Sequence, residues 1–195
     1  MAKRLFDIIS SGIGLLCLAP VFVVMAIWIK LDSRGPVFYR QTRVGRYGRD
    51  FRIFKFRSMR VGSDKGRQIT VGERDPRITR SGYFIRRYKI DELPQLINVF
   101  LGDMSVVGPR PEVRKYVDLY SEEQRKVFQV RPGITDLASI KYSNENELLS
   151  QVDDPDTYYI DVIMPDKLAI NLEYIRHQSF MGDIKIIFNT LFKIF

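Results

Sequence analysis

"SSGIGLLCLAPVFVVMAIWIK", Ser10 to Lys30, is the stretch on which the architecture turns. It belongs to an uncharged run from Ile8 to Ile29, bounded by Asp7 and Lys30. Crossing a bilayer takes ~20 apolar residues at ~1.5 Å rise each, and this run has that length. Yet it contains Pro20, which removes an N–H donor and sets its ring against the carbonyl four residues back, that of Leu16. Orphaned polar groups are expensive in hydrocarbon, so the sequence predicts a kink near Leu16–Ala19. Lys3 and Arg4 precede the run, and Lys30, Arg34, Arg40, Arg43 and Arg46 follow it. Lys/Arg-rich flanks mark the cytoplasmic side. A central kink with basic residues at both ends suits a helix-break-helix that enters and leaves by one face better than a bent span. The run is longer than the roughly 7–15 apolar residues of a signal peptide and shows no small-residue cleavage pattern, so it is expected to be retained.

The 195 residues suffice for one domain with a core plus a membrane segment. A composition of 45% hydrophobic and 28% charged residues excludes both a disordered chain and a polytopic membrane protein. The single cysteine, Cys17, lies inside the apolar run. That excludes a disulfide framework and a cysteine metal site, and fits a reduced, cytoplasmic globular part. The net charge of +8 is unevenly placed: residues 30–90 carry +13 and residues 91–195 carry −6. A basic block directly after an apolar segment suits anionic headgroups, at ~1 kcal/mol per basic residue near the surface. A solvated basic face and a nucleic-acid surface are the competing readings.

Beyond Lys30, Val37–Thr42 and Phe51–Phe56 flank a Gly/Arg-rich turn and predict a β-hairpin. Residues 59–80 are polar and aperiodic, hence loop. A short helix is expected over Gly82–Tyr88. Asp91 then suits an N-cap, with Pro94 in the first turn and Gly102 as the stop. "VGPRP" (Val107–Pro111) and "RPGIT" (Arg131–Thr135) read as turns, with helices at Glu112–Tyr120 and from Ser121. A last pair covers about Pro165–His177 and Gly182–Phe195. The second of these places Ile184, Ile187, Phe188, Leu191, Phe192 and Phe195 at helical spacing, which fits core or a membrane surface. The fold class is therefore α+β, mostly helical, with a small hairpin and amphipathic interfacial helices. Residues 1–30 form the membrane helix and residues 31–195 a cytoplasmic, membrane-associated domain.

Chemistry has few places to reside. The lone His177 has no partner at a recognisable spacing, and "GRYG" (Gly45–Gly48) lies between strands rather than opening a helix. "IDELPQL" (Ile90–Leu96) is different, because Arg86, Arg87 and Lys89 precede it, while Arg110 and Arg131 follow in proline-containing turns. An adjacent Asp-Glu pair by itself is most simply a helix cap. Surrounded by guanidinium groups, a carboxylate is ionised and the same donors hold phosphate. An ionised Asp is a competent nucleophile in phosphoryl chemistry, and a neighbouring carboxylate is a ligand type for Mg²⁺. The residues alone reach membrane-associated phosphate chemistry. A non-enzymatic, membrane-docked basic module that binds anionic lipid or nucleic acid stands as the alternative.

"KRLFDIISSGIGLLCLAPVF", "GPVFYRQTRVGRYGRDFRIFKFRSM", "DELPQLINVFLGDMSVVGPRPE" and "RPGIT", in this order, resemble the bacterial sugar transferases. These are monotopic polyprenyl-phosphate phosphoglycosyl transferases. The resemblance implies transfer of a sugar-1-phosphate from a UDP-sugar to undecaprenyl phosphate, at the cytoplasmic face of the bacterial inner membrane. It implies a catalytic dyad at Asp91 and Glu92, a covalent phosphosugar on Asp91, and Mg²⁺ near both carboxylates. By motif position Lys55, Arg57, Arg110 and Arg131, with Arg86 upstream of the dyad, are implied phosphate or nucleotide contacts. It also implies a re-entrant helix broken at a Ser-Pro pair, for which this chain has Ala19-Pro20. "RPGITDLASIKYSNEN" departs from the common pattern at Asp136 and Tyr142–Asn144, and Asp136–Asn146 is expected to tune sugar choice or lipid contact. The chain reads as a minimal catalytic unit.

Overall fold

The computed structural model describes residues 2–63 and 75–194, with the side chain of Ile194 excepted. The middle of the loop expected over 59–80 lies outside the described residues. The chain opens with α1, Ala2–Asp32, a helix of 31 residues. By length and a mean hydropathy of 2.5 it is, among the described residues, the one helix apolar enough to cross a membrane. Helical dihedrals persist through Pro20, so the expected break at Ala19-Pro20 is not an interruption by non-helical residues. The reason is that proline deletes one hydrogen bond while its own fixed φ is already helical.

The predicted hairpin is present, with β1, Phe38–Val44, antiparallel to β2, Asp50–Phe56. Its register pairs Val44 with Asp50 at the turn and Tyr39 with Lys55 near the open end. Helix α2 (Arg80–Arg87) leads into a 3₁₀ turn, Ile90–Glu92, and then α3, Gln95–Leu101. Asp91 is therefore not the N-cap of α3; Pro94 holds that position, while Gly102 ends the helix in the left-handed region at φ 101° as expected. Next, β3 (Ser105–Val107) runs parallel to β4 (Gly133–Thr135), a pair the sequence reading missed because each strand is three residues long. Between them lie α4, Arg114–Val117, and a 3₁₀ stretch, Gln124–Gln129, both shorter or tighter than the α-helices expected there. Short helices α5 (Leu137–Lys141), α6 (Glu145–Ser150) and α7 (Pro155–Tyr158) and a π turn at Tyr159–Ile163 precede the predicted final pair. That pair is α8, Met164–Arg176, and α9, Phe180–Ile194.

The largest apolar core gathers Val113, Tyr116, Val117, Tyr120, Leu149, Ile163 and Leu168 around α4, the π turn and α8. A second one packs Met25 and Ile29 of α1 on Phe56 and Ile85. The first part of α1 is fixed instead by polar groups. Buried Asp7 accepts hydrogen bonds from Ser105 Oγ and the Val106 N–H, both at 3.0 Å. Lys3 pairs with Asp183 of α9, and Arg4 donates to the Val99 and Phe100 carbonyls at the end of α3. Outward, Leu5, Ile9, Ile13, Leu16, Val23, Val24, Ile27 and Leu31 form an exposed apolar stripe. Phe180, Met181, Phe188, Leu191 and Phe192 do the same on α9, so its amphipathic reading holds.

The other end of α1 is closed by Arg57, whose side chain is buried. Its guanidinium donates to the carbonyls of Pro36 (2.6 Å), Arg34 (2.8 Å), Ser33 (2.8 Å) and Ile29 (3.3 Å) and to Ser33 Oγ (2.8 Å). All five donors of an arginine are then engaged. A phosphate contact was expected of Arg57; its donors go to one of the last carbonyls of α1, that of Ile29, and to the turn that follows the helix. Arg57→Lys keeps the charge and loses the planar fork, and should cost about 3 kcal/mol. For a chain of this size the melting temperature in detergent should fall by roughly 6–12 °C; an unchanged melting point would contradict the capping role.

Candidate active site

Lys55 reaches the site from β2, whose position is fixed by a buried amide. Asn98 of α3 accepts from the Phe54 N–H at 2.8 Å and donates to the Arg52 carbonyl at 2.9 Å. This locks the helix after the 3₁₀ turn to the strand carrying Lys55. The turn itself is entered through Lys89, a non-glycine residue at φ 55°. A third segment arrives through a close approach of "VGPRP" and "RPGIT". Gly133 donates to the Pro109 carbonyl and Gly108 to the Thr135 carbonyl, both at 3.0 Å. A Cβ on Gly133 would lie 2.1 Å from the Gly108 nitrogen, so only glycine permits the contact. The contact holds the Pro109–Arg110–Pro111 loop in place.

These three segments meet at Glu92. Lys55 Nζ lies 2.9 Å from Glu92 Oε1, and Arg110 bonds both carboxylate oxygens, with one contact of 3.1 Å to Oε2. Burial pushes the Glu92 carboxyl up, but Arg110 and then Lys55 outweigh it and hold the group well below the ordinary carboxylate range. Arg110 is correspondingly raised by Glu92. Lys55 is lowered, chiefly by burial, against the opposing pull of Glu92.

Asp91, next to this cluster, has the opposite character. It is 7% exposed, and among the described residues its carboxylate accepts no hydrogen bond. Burial raises its pKa; Lys55 opposes the rise, Glu92 adds to it, and Arg86 and Lys89 oppose it. Adjacent carboxylates are thus split, one anchored and anionic, the other open with its charge disfavoured. Such divergence marks residues with different chemical tasks.

Of the residues singled out in the sequence, Asp91, Glu92, Lys55 and Arg110 come together, with Arg86 within electrostatic reach of Asp91. Arg57 is at the end of α1. Arg131 donates through Nε to the Gly102 carbonyl at 2.8 Å and lines a separate cleft with Arg46 and Arg49. Ala19 and Pro20 lie exposed in mid-α1. Asn98 was missed as an organising residue, and Asp136 was singled out only as a departure from the family pattern. Asp136 is buried, caps α5 through the Ser139 N–H at 2.8 Å and adds to the field on Arg110. The signal for Asn98 is a polar residue on the inner face of "LPQLINVF".

The donor set fits Mg²⁺ in one limited way. Both Glu92 oxygens face cations, and no cluster of three or more His, Cys, Asp or Glu side chains occurs among the described residues. Asp91 is left as the open carboxylate, and Mg²⁺ commonly takes one or two carboxylates plus substrate phosphates and water.

The chain matches the family described as "Bacterial sugar transferase" over residues 1–195, and it belongs to that family. It is 38% identical over 201 residues to the UDP-glucose:undecaprenyl-phosphate glucose-1-phosphate transferase of Escherichia coli K12, which covers 99% of this chain and 40% of that protein. It is 39% identical over 194 residues to the UDP-N-acetylgalactosamine-undecaprenyl-phosphate N-acetylgalactosaminephosphotransferase of Aeromonas hydrophila, covering 97% and 42%. With the exopolysaccharide production protein PSS of Rhizobium leguminosarum it shares 41% identity over 196 residues, covering 97% and 92%. The chain thus spans well under half of the first two relatives.

The electrostatics give a direct test. With a carbon-13-labelled carboxyl, Asp91 should titrate above its ordinary 3.8. Lys55→Met removes a positive neighbour and should move that titration up; Glu92→Gln removes a negative one and should move it down. Shifts of the opposite sign would refute the arrangement.

Proposed function

We propose that this chain transfers a sugar-1-phosphate from a UDP-sugar to undecaprenyl phosphate, with Asp91 as nucleophile. The observation that carries the reading is the split dyad, an open Asp91 beside a Glu92 held by two cations. An Asp91 carboxylate oxygen attacks the β-phosphorus of the UDP-sugar. The bond from that phosphorus to the bridging oxygen breaks, and UMP leaves with the electron pair. The phosphosugar is then an acyl phosphate on Asp91. A phosphate oxygen of the lipid attacks the same phosphorus, the Asp91–phosphorus bond breaks, and the carboxylate is restored.

In this scheme Glu92 holds Lys55 and Arg110 in position, and their charge tempers the repulsion between an anionic nucleophile and an anionic diphosphate. Arg86 adds a cation on the Asp91 side. Mg²⁺, held by Asp91 and the donor diphosphate, would neutralise phosphate charge. Glu92, paired as it is, acts as a positioning residue rather than a metal ligand.

We also read α1 as re-entrant, and the protein as seated on the cytoplasmic face of the inner membrane. A straight helix of 31 residues is ~46 Å long. Both of its ends nevertheless attach to the same body, Asp7 to β3 and Asp32 to Ser81 at 2.8 Å and 2.7 Å. A helix crossing a ~30 Å hydrocarbon layer would put those attachments on opposite sides. With Cys17 replaced by Ala, an Ala2→Cys chain in intact cells should resist a membrane-impermeant maleimide; labelling from the periplasm would overturn re-entry.

Mixing the purified protein with UDP-sugars, without lipid acceptor, should release UMP and leave a phosphosugar mass on the peptide containing Asp91. Asp91→Asn should abolish both, a loss of at least about 10³-fold for removal of a covalent nucleophile. Release of UMP at the parent rate by that variant would refute the assignment. An absence of UMP release from the parent with any UDP-sugar would favour the non-enzymatic module.

A further inference from the structure

Outside the dyad the chain carries a second concentration of cations. A cleft of about 330 Å³ lies between the hairpin turn and the end of α3, lined by Arg46, Arg49 and Arg131 among others. That volume is at the lower end of small-molecule sites, which run roughly 300–1,000 Å³. The register of β1 and β2 puts the turn five residues from Lys55 along β2, ~17 Å away at ~3.3 Å per residue.

The donors of this cleft are largely unengaged. Arg131 uses one of its five N–H groups, on the Gly102 carbonyl at 2.8 Å. Arg46 donates through Nε to the Gln129 carbonyl at 3.1 Å, and its guanidinium lies 4.5 Å from the centre of the Tyr47 ring. Arg49 makes no side-chain hydrogen bond or ion pair among the described residues. Two carboxylates, Asp50 and Asp103, share the wall with the three arginines. Asp50 pairs with Arg114, and Asp103 accepts from Asn98 Nδ2 at 3.3 Å. Burial, then Arg4 and Arg46, hold Arg131 below its ordinary value, against the opposing pull of Asp7.

The position of the cleft narrows the ligand. Gly102 in its wall abuts Arg4 of the first turn of α1, with a Cβ there lying 3.1 Å from the Arg4 guanidinium. Just before it Phe100 and Leu101 are 48% and 64% exposed. Unpaired arginines next to exposed apolar side chains, at the level where α1 meets the body, match an amphiphile with an anionic head.

We propose that this cleft binds the headgroup phosphate of a membrane phospholipid, at a site separate from the dyad, and so fixes how the body docks on the bilayer. The proposal rests on the membrane seating of α1 and is independent of Asp91 as nucleophile.

The full chain in detergent should bind dihexanoyl-phosphatidylglycerol, measured by native mass spectrometry or calorimetry, more tightly than dihexanoyl-phosphatidylcholine. At ~1 kcal/mol per basic residue, Arg49→Gln should weaken that binding about fivefold, and Arg46→Gln with Arg49→Gln about 30-fold. Among the described residues Arg49 makes no side-chain bond, so Arg49→Gln keeps the test valid if the double variant melts early. Lys115→Ala with Lys126→Ala removes the same charge elsewhere and should change binding less than twofold; an equal loss there would reduce the effect to net charge and overturn the site. Parent-like binding by the Arg49 variants would overturn it too. Competitive displacement of the lipid by UDP or inorganic phosphate would assign the cleft to a soluble phosphate and overturn the lipid. Asp91→Asn should bind the lipid as the parent does, so failure of the transferase reading and failure of this one give different results.

Discussion

Glu92 placed between Lys55 and Arg110 is the constraint on which the rest of the site depends. It is the point where β2, the 3₁₀ turn and the Pro109–Arg110–Pro111 loop converge, three segments far apart in sequence. Partly buried charges are costly to desolvate, and they persist only with close partners. Here one carboxylate serves two cations, so the loss of Glu92 would strand both. The neutralisation has a second effect. Because Glu92 satisfies both cations, Asp91 has no dedicated partner and stays open.

The same logic, buried charge fixing an apolar element, places α1. An apolar helix has no reason in hydrocarbon to prefer one neighbour over another, since lipid tails are as apolar as its side chains. Specificity has to come from polar contacts. Asp7 provides it in the second turn, bonded to Ser105 and the Val106 N–H, and Arg57 provides it at the last. Between them Ser10 and Ser11 return their hydroxyls to the carbonyls of Phe6 and Asp7, at 2.7 Å and 2.6 Å, and expose no unsatisfied group. The outward stripe of α1 and that of α9 are left apolar, and the ring of Phe6 meets that of Phe180 edge-on at 5.4 Å.

Elements with a strong local signal were legible from the sequence. The hairpin has period-2 alternation and a glycine turn, α8 and α9 have helical spacing, and Gly102 is a stop that only a left-handed residue could make. The basic surroundings of Asp91 and Glu92 were legible in Arg86, Lys89 and Arg110. What was not legible depends on contacts distant in sequence. Lys55, Arg57, Arg110 and Arg131 are alike as letters, yet Arg57 meets the Ile29 carbonyl of α1 28 residues away, Arg131 meets Gly102, and the other two meet Glu92. Strands β3 and β4 carry no periodicity to detect at three residues each; what joins them is the backbone approach of Gly108 and Gly133. Pro20 removes one helical bond, while its fixed φ keeps the residues on either side within one helix.

The turn that carries Asp91 and Glu92 is not relaxed. Lys89 sits in the left-handed region, which costs a non-glycine residue about 1–2 kcal/mol. Two residues later Asp91 is nearly buried without a hydrogen-bond partner among the described residues. Neither would persist in a turn free to relax. The turn is held from outside by the two ion pairs of Glu92 on one side and by the Asn98 amide, bonded to Phe54 and Arg52, on the other. Strain of this kind collects where surrounding structure over-determines the backbone. The contacts that hold the turn also fix Lys55 and Arg110, so the rigidity of the cluster and the openness of Asp91 have one origin.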